Sequence, residues 1–407
     1  MIIGMAMSLN GRAQKDLAAA VNALTARWAS TRSGESAVMS GVGAWPLLAY
    51  LATAADGPGR AELQEAIGMD AAAAAPAARA VLATLNASPA IKSALGLWTR
   101  HDLPLRPTWS AALPAGMRGE LTGDPSADQL QLDAWAARQT DGAIPAMPVS
   151  VTDETLLVLA GALTVRTSWL RPFTEGAAFV EAGPWVDREI VVLRRSTRVL
   201  DRVQVADTPA GPLTMFRVMG TDGIDVHLLL GHDFRKAADV LTAGIDALAK
   251  RYPSVAADVL PAGSPGPGIS NSTVPAYQPH DLLTVTVPRF TVSASLDLLA
   301  LPDVFGLATV TDPARGHFPG ISTEPLAISQ ARQDATATFQ AHGFEAAAVT
   351  AMGAIAGGMA PRPPYRAKRV DVDFTRPFGF LAVDRRSRLI LTAGWVAEPE
   401  TEHLEES

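Results

Sequence analysis

The feature that most constrains this chain lies near its end. From Ala346 to Pro361 there is no charged side chain, and most of the side chains are small. The stretch runs between ATATFQA (335–341) and RVDVDF (369–374), each alternating apolar and polar residues as a half-buried strand does. Structureless connections of this length are uncommon in compact domains unless they are functional or disordered. Three readings are open. Alanine favours a helix, but Gly343, Gly353, Gly357 and Gly358 weaken one and APRPP ends it. A disordered linker would carry more charge and polarity. A strand awaiting its sheet would place Phe344, Ala346, Ala348, Thr350 and Met352 on one face, with Glu345, Ala347, Val349 and Ala351 on the other. Small residues on both faces let such a segment enter a sheet without displacing its neighbours.

Composition removes several alternatives. A net charge of −7 argues against nucleic acid as a general partner, because phosphate binding needs clustered basic surface. The absence of cysteine excludes disulfides, thiolate catalysis and cysteine-based metal sites. The longest apolar run, LLVLAGALTV (156–165), is too short to cross a bilayer, so no membrane is expected. The start, MIIGMAMSLNGRAQKDL, lacks the basic, apolar and cleavage regions of a signal peptide. A cytoplasmic protein is the expectation, with export left open.

The first hundred residues read as helices. In RAQKDLAAAVNALTARWAS, Leu17, Val21, Leu24 and Trp28 share one helical face. AWPLLAYLATAADGPGRAELQEAIGM gives two helices about a Gly/Pro turn, and QLQLDAWAARQTDGAIP a further one with Leu130, Ala134 and Ala137 expected inward. From residue 155 the period becomes that of strands, in TLLVLAGALTVRTSW, VVLRRSTRVLDRVQVAD, DVHLLLG and LLTVTVPRFTVSASLDL. PAGSPGPGISNSTVPAYQP (261–279) reads as a long Pro/Gly-rich surface loop. Helices followed by strands point to an α+β fold.

Five segments, in order, resemble the serpin family. They are VMSGVGAWPLLAYLATAADGPGRAELQEAIG, the run LDAWAARQTDGAIPAMPVSVTDETLLVLAGALTVRTSWLRPF, VPRFTVSASLDLLALPDVFGL, the hinge GFEAAAVTA, and FTRPFGFLAVDRRSRLILTAGWVAEP. The resemblance implies a single domain over 1–407, of the prokaryotic type, with three β-sheets, about nine helices and an exposed reactive-centre loop over about 343–368. It implies a monomeric, metastable serine protease inhibitor without cofactor or metal. A target protease cleaves the loop and is held as an acyl-enzyme, and the loop then inserts as an extra strand in the main sheet. Hinge residues carried over are Gly343, Phe344, Glu345, Ala346, Ala347, Ala348, Val349, Thr350 and Ala351. Those of the region where the sheet opens are Ser40, Gly161, Trp169 and Gln333.

Departures from the family pattern bear on activity. Phe344 stands where threonine is usual, and Ala341 where an acidic residue is. Gly43, Gly161 and Gln333 replace serine, asparagine and histidine. A ring at Phe344 is expected to slow insertion, overpacking costing roughly 1–3 kcal/mol. Family spacing counted from the hinge gives Gly357–Gly358 as the cleaved bond, and counting from Pro377 and Phe378 gives a later one. Within Ala356, Gly357, Gly358, Met359 and Ala360, the bonds Ala356–Gly357 and Met359–Ala360 suit elastase- or subtilisin-like enzymes. Arg362 is followed by Pro363, a poor trypsin site, whereas Arg366–Ala367 would suit a trypsin-like enzyme. No nucleophile elbow or phosphate loop is present, and the spacing of His227, His232 and Asp233 fits no standard metal site, so an enzyme is not expected. Arg194, Arg195, Arg198 and Arg202 read as a solvated face or a polyanion site. The alternative to inhibition is a non-inhibitory binding or structural protein of the same fold.

Overall fold

The computed structural model describes residues 2–114, 116–142, 144–147, 149–153, 155–344 and 363–401. Among these are three β-sheets and eight α-helices, one fewer helix than the resemblance implies. The main sheet runs Arg118–Leu121, Ile91–Arg100, Leu157–Val165, Gln330–Phe339, Gly343–Phe344 and Thr167–Ser168, and Phe290–Asp297 flanks Gln330–Phe339 on its other side. The second sheet, antiparallel throughout, is built from Ala37–Met39, Ile390–Val396, Phe378–Asp384, Ile224–Leu230, Gly211–Met219, Val203–Thr208 and Ser254–Ala256. The third contains Ile269–Ala276, Tyr365–Asp373, Leu282–Pro288, Glu189–Thr197 and Thr174–Phe179.

The helix Gly41–Ala54 is buried along almost its whole length, as expected of a helix apolar on all sides. It packs on the main sheet and on Ile390–Val396, and it ties the two together. Ile2–Ala29 lies against it with Val21, Leu24 and Trp28 fully buried. Leu157–Val165 is buried at every position, and its apolar run is that of a strand covered on both faces.

Three sequence expectations are corrected. The helix Pro125–Gln139 turns Asp128, Leu132, Trp135 and Ala136 inward and leaves Leu130 70% exposed. Asp128 sets this rotation, because its carboxylate accepts from the backbone of Thr122 and Gly123 and from the Thr122 hydroxyl. The segment 261–279 is not a loop throughout, since Ile269–Ala276 forms an edge strand paired with Tyr365–Asp373. An edge position is where Pro275 is tolerated in a strand. Tyr365–Lys368, at the end of the segment 343–368, belong to this same strand of the third sheet. Finally, LLTVTVPRFTVSASLDL is two strands in different sheets. Between them Arg289 pairs with Glu175 at 2.9 Å and Glu400 at 2.6 Å.

His227, in the strand Ile224–Leu230, is buried, and its Nε2 has no partner. Burial pushes its imidazole from the ordinary 6.5 down to about 3; Asp225 opposes the shift, and Arg388 and Arg217 add to it. Between those two values the unfolded chain binds a proton that the folded chain refuses. Stability should therefore fall as pH drops through this window, by up to about 1.4 kcal/mol per unit from this group. Denaturant unfolding against pH should show a shallower acid slope in His227→Gln, and an unchanged slope would assign the dependence elsewhere.

Candidate functional site

The two central strands of the main sheet are only half joined. Leu157–Val165 and Gln330–Phe339 run parallel, and their registered pairs extend from Gln330↔Val158 to Asp334↔Ala162. Beyond that, among the described residues, the ladder stops and the strands part. Two polar atoms at this level, Thr164 Oγ1 and Asp334 Oδ1, are buried without a hydrogen-bond partner. Burial raises the Asp334 carboxyl above its usual range, against the pull of Ser295 and Arg332.

Gly343 and Phe344 close the upper end of the parting. They form a two-residue strand between Phe339 on one side and Thr167–Ser168, which continue the central strand, on the other. Gly343 is needed there, because a Cβ would lie 2.5 Å from the Thr167 carbonyl oxygen. The Phe344 ring is 1% exposed and lies 6.4 Å from the ring of Phe380. The bulky residue that stands where the family pattern has threonine is thus already buried in the sheet. A second layer holds the approach to the hinge. The Trp169 indole N–H donates to the Gln340 carbonyl at 2.9 Å, its backbone N–H to that of His342 at 2.9 Å, and the Phe173 N–H to that of Ala341 at 2.8 Å. Ala341 is buried where an acidic residue would need a partner. Phe339 packs against Trp169, Phe173 and Phe290 with centroids 4.9, 5.6 and 5.4 Å away.

At the lower end the altered polar cluster is complete in its own way. Ser40 caps the helix Gly41–Ala54 through its hydroxyl, which accepts from Gly43 N–H and donates to the Leu391 carbonyl at 2.7 Å. The Gln333 amide clasps the Ser40 backbone, accepting from its N–H at 2.8 Å and donating to its carbonyl at 2.9 Å. A Cβ at Gly43 would come within 2.9 Å of Gln333 Nε2, so the glycine makes room for the glutamine. Gly161 faces Gln333 across the ladder. Ser40, Gly161 and Gln333 therefore gather at one end of the parting, and Trp169, Gly343 and Phe344 at the other. Glu345, Ala346, Ala347, Ala348, Val349, Thr350 and Ala351, and Ala356, Gly357, Gly358, Met359 and Ala360, lie outside the described residues. Sequence reasoning missed the ring cluster of Phe173, Phe290, Phe339 and Phe380, whose members are signalled only as apolar ends of separate strands.

The family description "Serpin (serine protease inhibitor)" matches residues 16–181 and 270–399. Serpin-Z2B of Oryza sativa subsp. japonica is 24% identical over 334 residues, covering 77% of each chain. Alpha-1-antiproteinase 2 of Equus caballus is 24% identical over 283 residues, covering 66% of this chain and 56% of its own. Among solved structures, Serpin48 of the insect Tenebrio molitor superposes with a TM-score of 0.67 at 18% identity, over 94% of this chain and 97% of its own. Thyroxine-binding globulin in complex with thyroxine gives 0.70 at 16% identity, over 96% and 100%. The chain belongs to the serpin family. These relatives are plant and animal proteins and lend no support to a prokaryotic type.

Replacing Gln333 with leucine leaves the Ser40 N–H buried without its acceptor, while the Ser40 carbonyl still accepts from the N–H groups of Gly43 and Ala44; the loss should destabilise the fold by about 1–3 kcal/mol. Wild-type stability in denaturant titrations of this variant would contradict the clasp. Gly43→Ala should cost about 1–2 kcal/mol beside Gln333 and clearly less in a Gln333→Ala background. A double-mutant cycle with no coupling would refute that fit.

Proposed function

We propose that the protein inhibits a serine protease as a suicide substrate. The target cleaves the reactive-centre loop and is held as an acyl-enzyme, while the segment from Gly343 through Ala351 and beyond enters the main sheet as a new strand. The observation that carries this reading is the parting between Leu157–Val165 and Gln330–Phe339, headed by Gly343–Phe344. Phe344 is in register with both walls of a gap that, among the described residues, holds no further strand. The small, uncharged residues that follow match a slot flanked by two backbones, and strand addition of this kind draws its energy from main-chain hydrogen bonds.

The loop chemistry points to an elastase- or subtilisin-like target cutting at Ala356–Gly357 or Met359–Ala360, since Pro363 spoils the bond after Arg362. The protein acts as a cytoplasmic monomer, with no metal, cofactor, nucleic acid or membrane. A second reading rests on the seating of Phe344. A hinge anchored by a buried ring resists being drawn further, which suits a non-inhibitory binding or structural member whose loop is cleaved as a plain substrate.

The two readings separate without knowledge of the target. The loop is nicked with a broad-specificity protease, the cut is located by mass spectrometry, and thermal unfolding is compared before and after. A large rise in Tm is expected, because insertion satisfies the open edges of the parting and releases stored strain. An unchanged Tm after a confirmed cut inside the loop would overturn the inhibitory reading in favour of the second.

A further inference from the structure

Four arginines converge on a pocket of about 110 Å³ beside the hinge layer. Arg171, Arg195, Arg202 and Arg217 line it together with Thr197 and Met219. They belong to four separate pieces of the fold, namely the turn after Trp169, the strand Glu189–Thr197, the 3-10 turn Leu200–Arg202 and the strand Gly211–Met219. Three of the four lie in the stretch, 182–269, that the family description does not match.

Their positive charge is poorly compensated. Among the described residues Arg171, Arg195 and Arg217 form no ion pair, and Arg202 has only Asp201, at 3.9 Å. Arg195 is held from behind, its guanidinium 4.3 Å from the Phe173 ring and 5.3 Å from that of Phe216, with one N–H on the Arg171 carbonyl at 2.8 Å. Arg171 reaches Thr197 Oγ1 at 3.3 Å. Arg217 Nε is buried with no partner. Burial first, then Arg171 and Arg202, push the Arg195 guanidinium down to about 10, which measures the strain of crowding cations that stay charged at neutral pH. Clustering four cations in a chain of net charge −7 raises a local positive field against an acidic background. Unspent, fixed guanidinium donors are the usual partners of planar or tetrahedral oxoanions.

We propose that Arg171, Arg195, Arg202 and Arg217 form a binding site for a compact oxoanion of the phosphate or sulfate kind. The pocket volume suits one such group, and the charge of the anion relieves the mutual repulsion of the four guanidinium groups.

The test is calorimetric titration of the full chain with inorganic phosphate at matched ionic strength. Saturable binding of phosphate at one site per chain is expected, and Arg202→Gln and Arg217→Gln should each weaken it about ten-fold, the loss of one charge-assisted hydrogen bond. Val199→Asp, in the lining of the same pocket, supplies a tethered carboxylate and should abolish phosphate binding in a folded protein even where an arginine variant fails to fold. Failure of phosphate to bind saturably, or binding unchanged in the folded arginine and Val199→Asp variants, would overturn the proposal.

Discussion

A β-sheet is held together by paired backbone hydrogen bonds, and among the described residues the main sheet of this protein leaves that pairing unfinished at its centre. Leu157–Val165 and Gln330–Phe339 share a ladder only over Gln330–Asp334. Everything else near the site can be understood as managing the consequences. A gap between strands exposes N–H and C=O groups, and unpartnered polar groups away from water are costly. The gap is therefore closed at both ends by specific contacts. Phe344 and the rings around Phe339 block the top, and the Gln333–Ser40 clasp secures the bottom. Thr164 Oγ1 and Asp334 Oδ1 remain without hydrogen-bond partners between them.

The lower clasp shows how a polar network can be replaced as a unit. Removing one partner from such a network strands the others, whereas substituting several members together need not. Gln333 brings both a donor and an acceptor on one planar amide, and that amide satisfies both backbone groups of Ser40. The substitution is steric as well as polar, because the space taken by Gln333 is space that a side chain at Gly43 would need. The Ser40 hydroxyl meanwhile links the start of a core helix to Leu391 in the second sheet, so one residue joins two sheets and a helix.

The upper end is connected to the arginine pocket through a single ring. Phe173 packs on Phe339 beside the hinge and carries the Arg195 guanidinium near its face. Its backbone N–H also holds Ala341, two residues before Gly343. The pocket and the approach to Gly343–Phe344 thus share one packed residue.

Much of the fold was legible in the residues because periodicity and composition are local properties. The buried run Leu157–Val165, the helix face of Val21, Leu24 and Trp28, and the strand character of 335–341 follow from spacing alone. The small size and neutrality of Ala346–Ala351 are local properties in the same sense. What failed, or could not be read, involved partners distant in sequence. Leu130 was expected inward because nothing local announces that Asp128 will fix the helix rotation. Ile269–Ala276 looked like loop because its pairing strand lies about a hundred residues later. By itself, then, the sequence determined that this chain builds an α+β protein carrying a small, uncharged segment between two of its strands. Only the tertiary structure decided that Gln333 meets Ser40, 293 residues away, and that Phe344 is already seated in the sheet. Pairings of that kind are set by how strands and helices pack in three dimensions, and no residue encodes its distant neighbour in its own spacing.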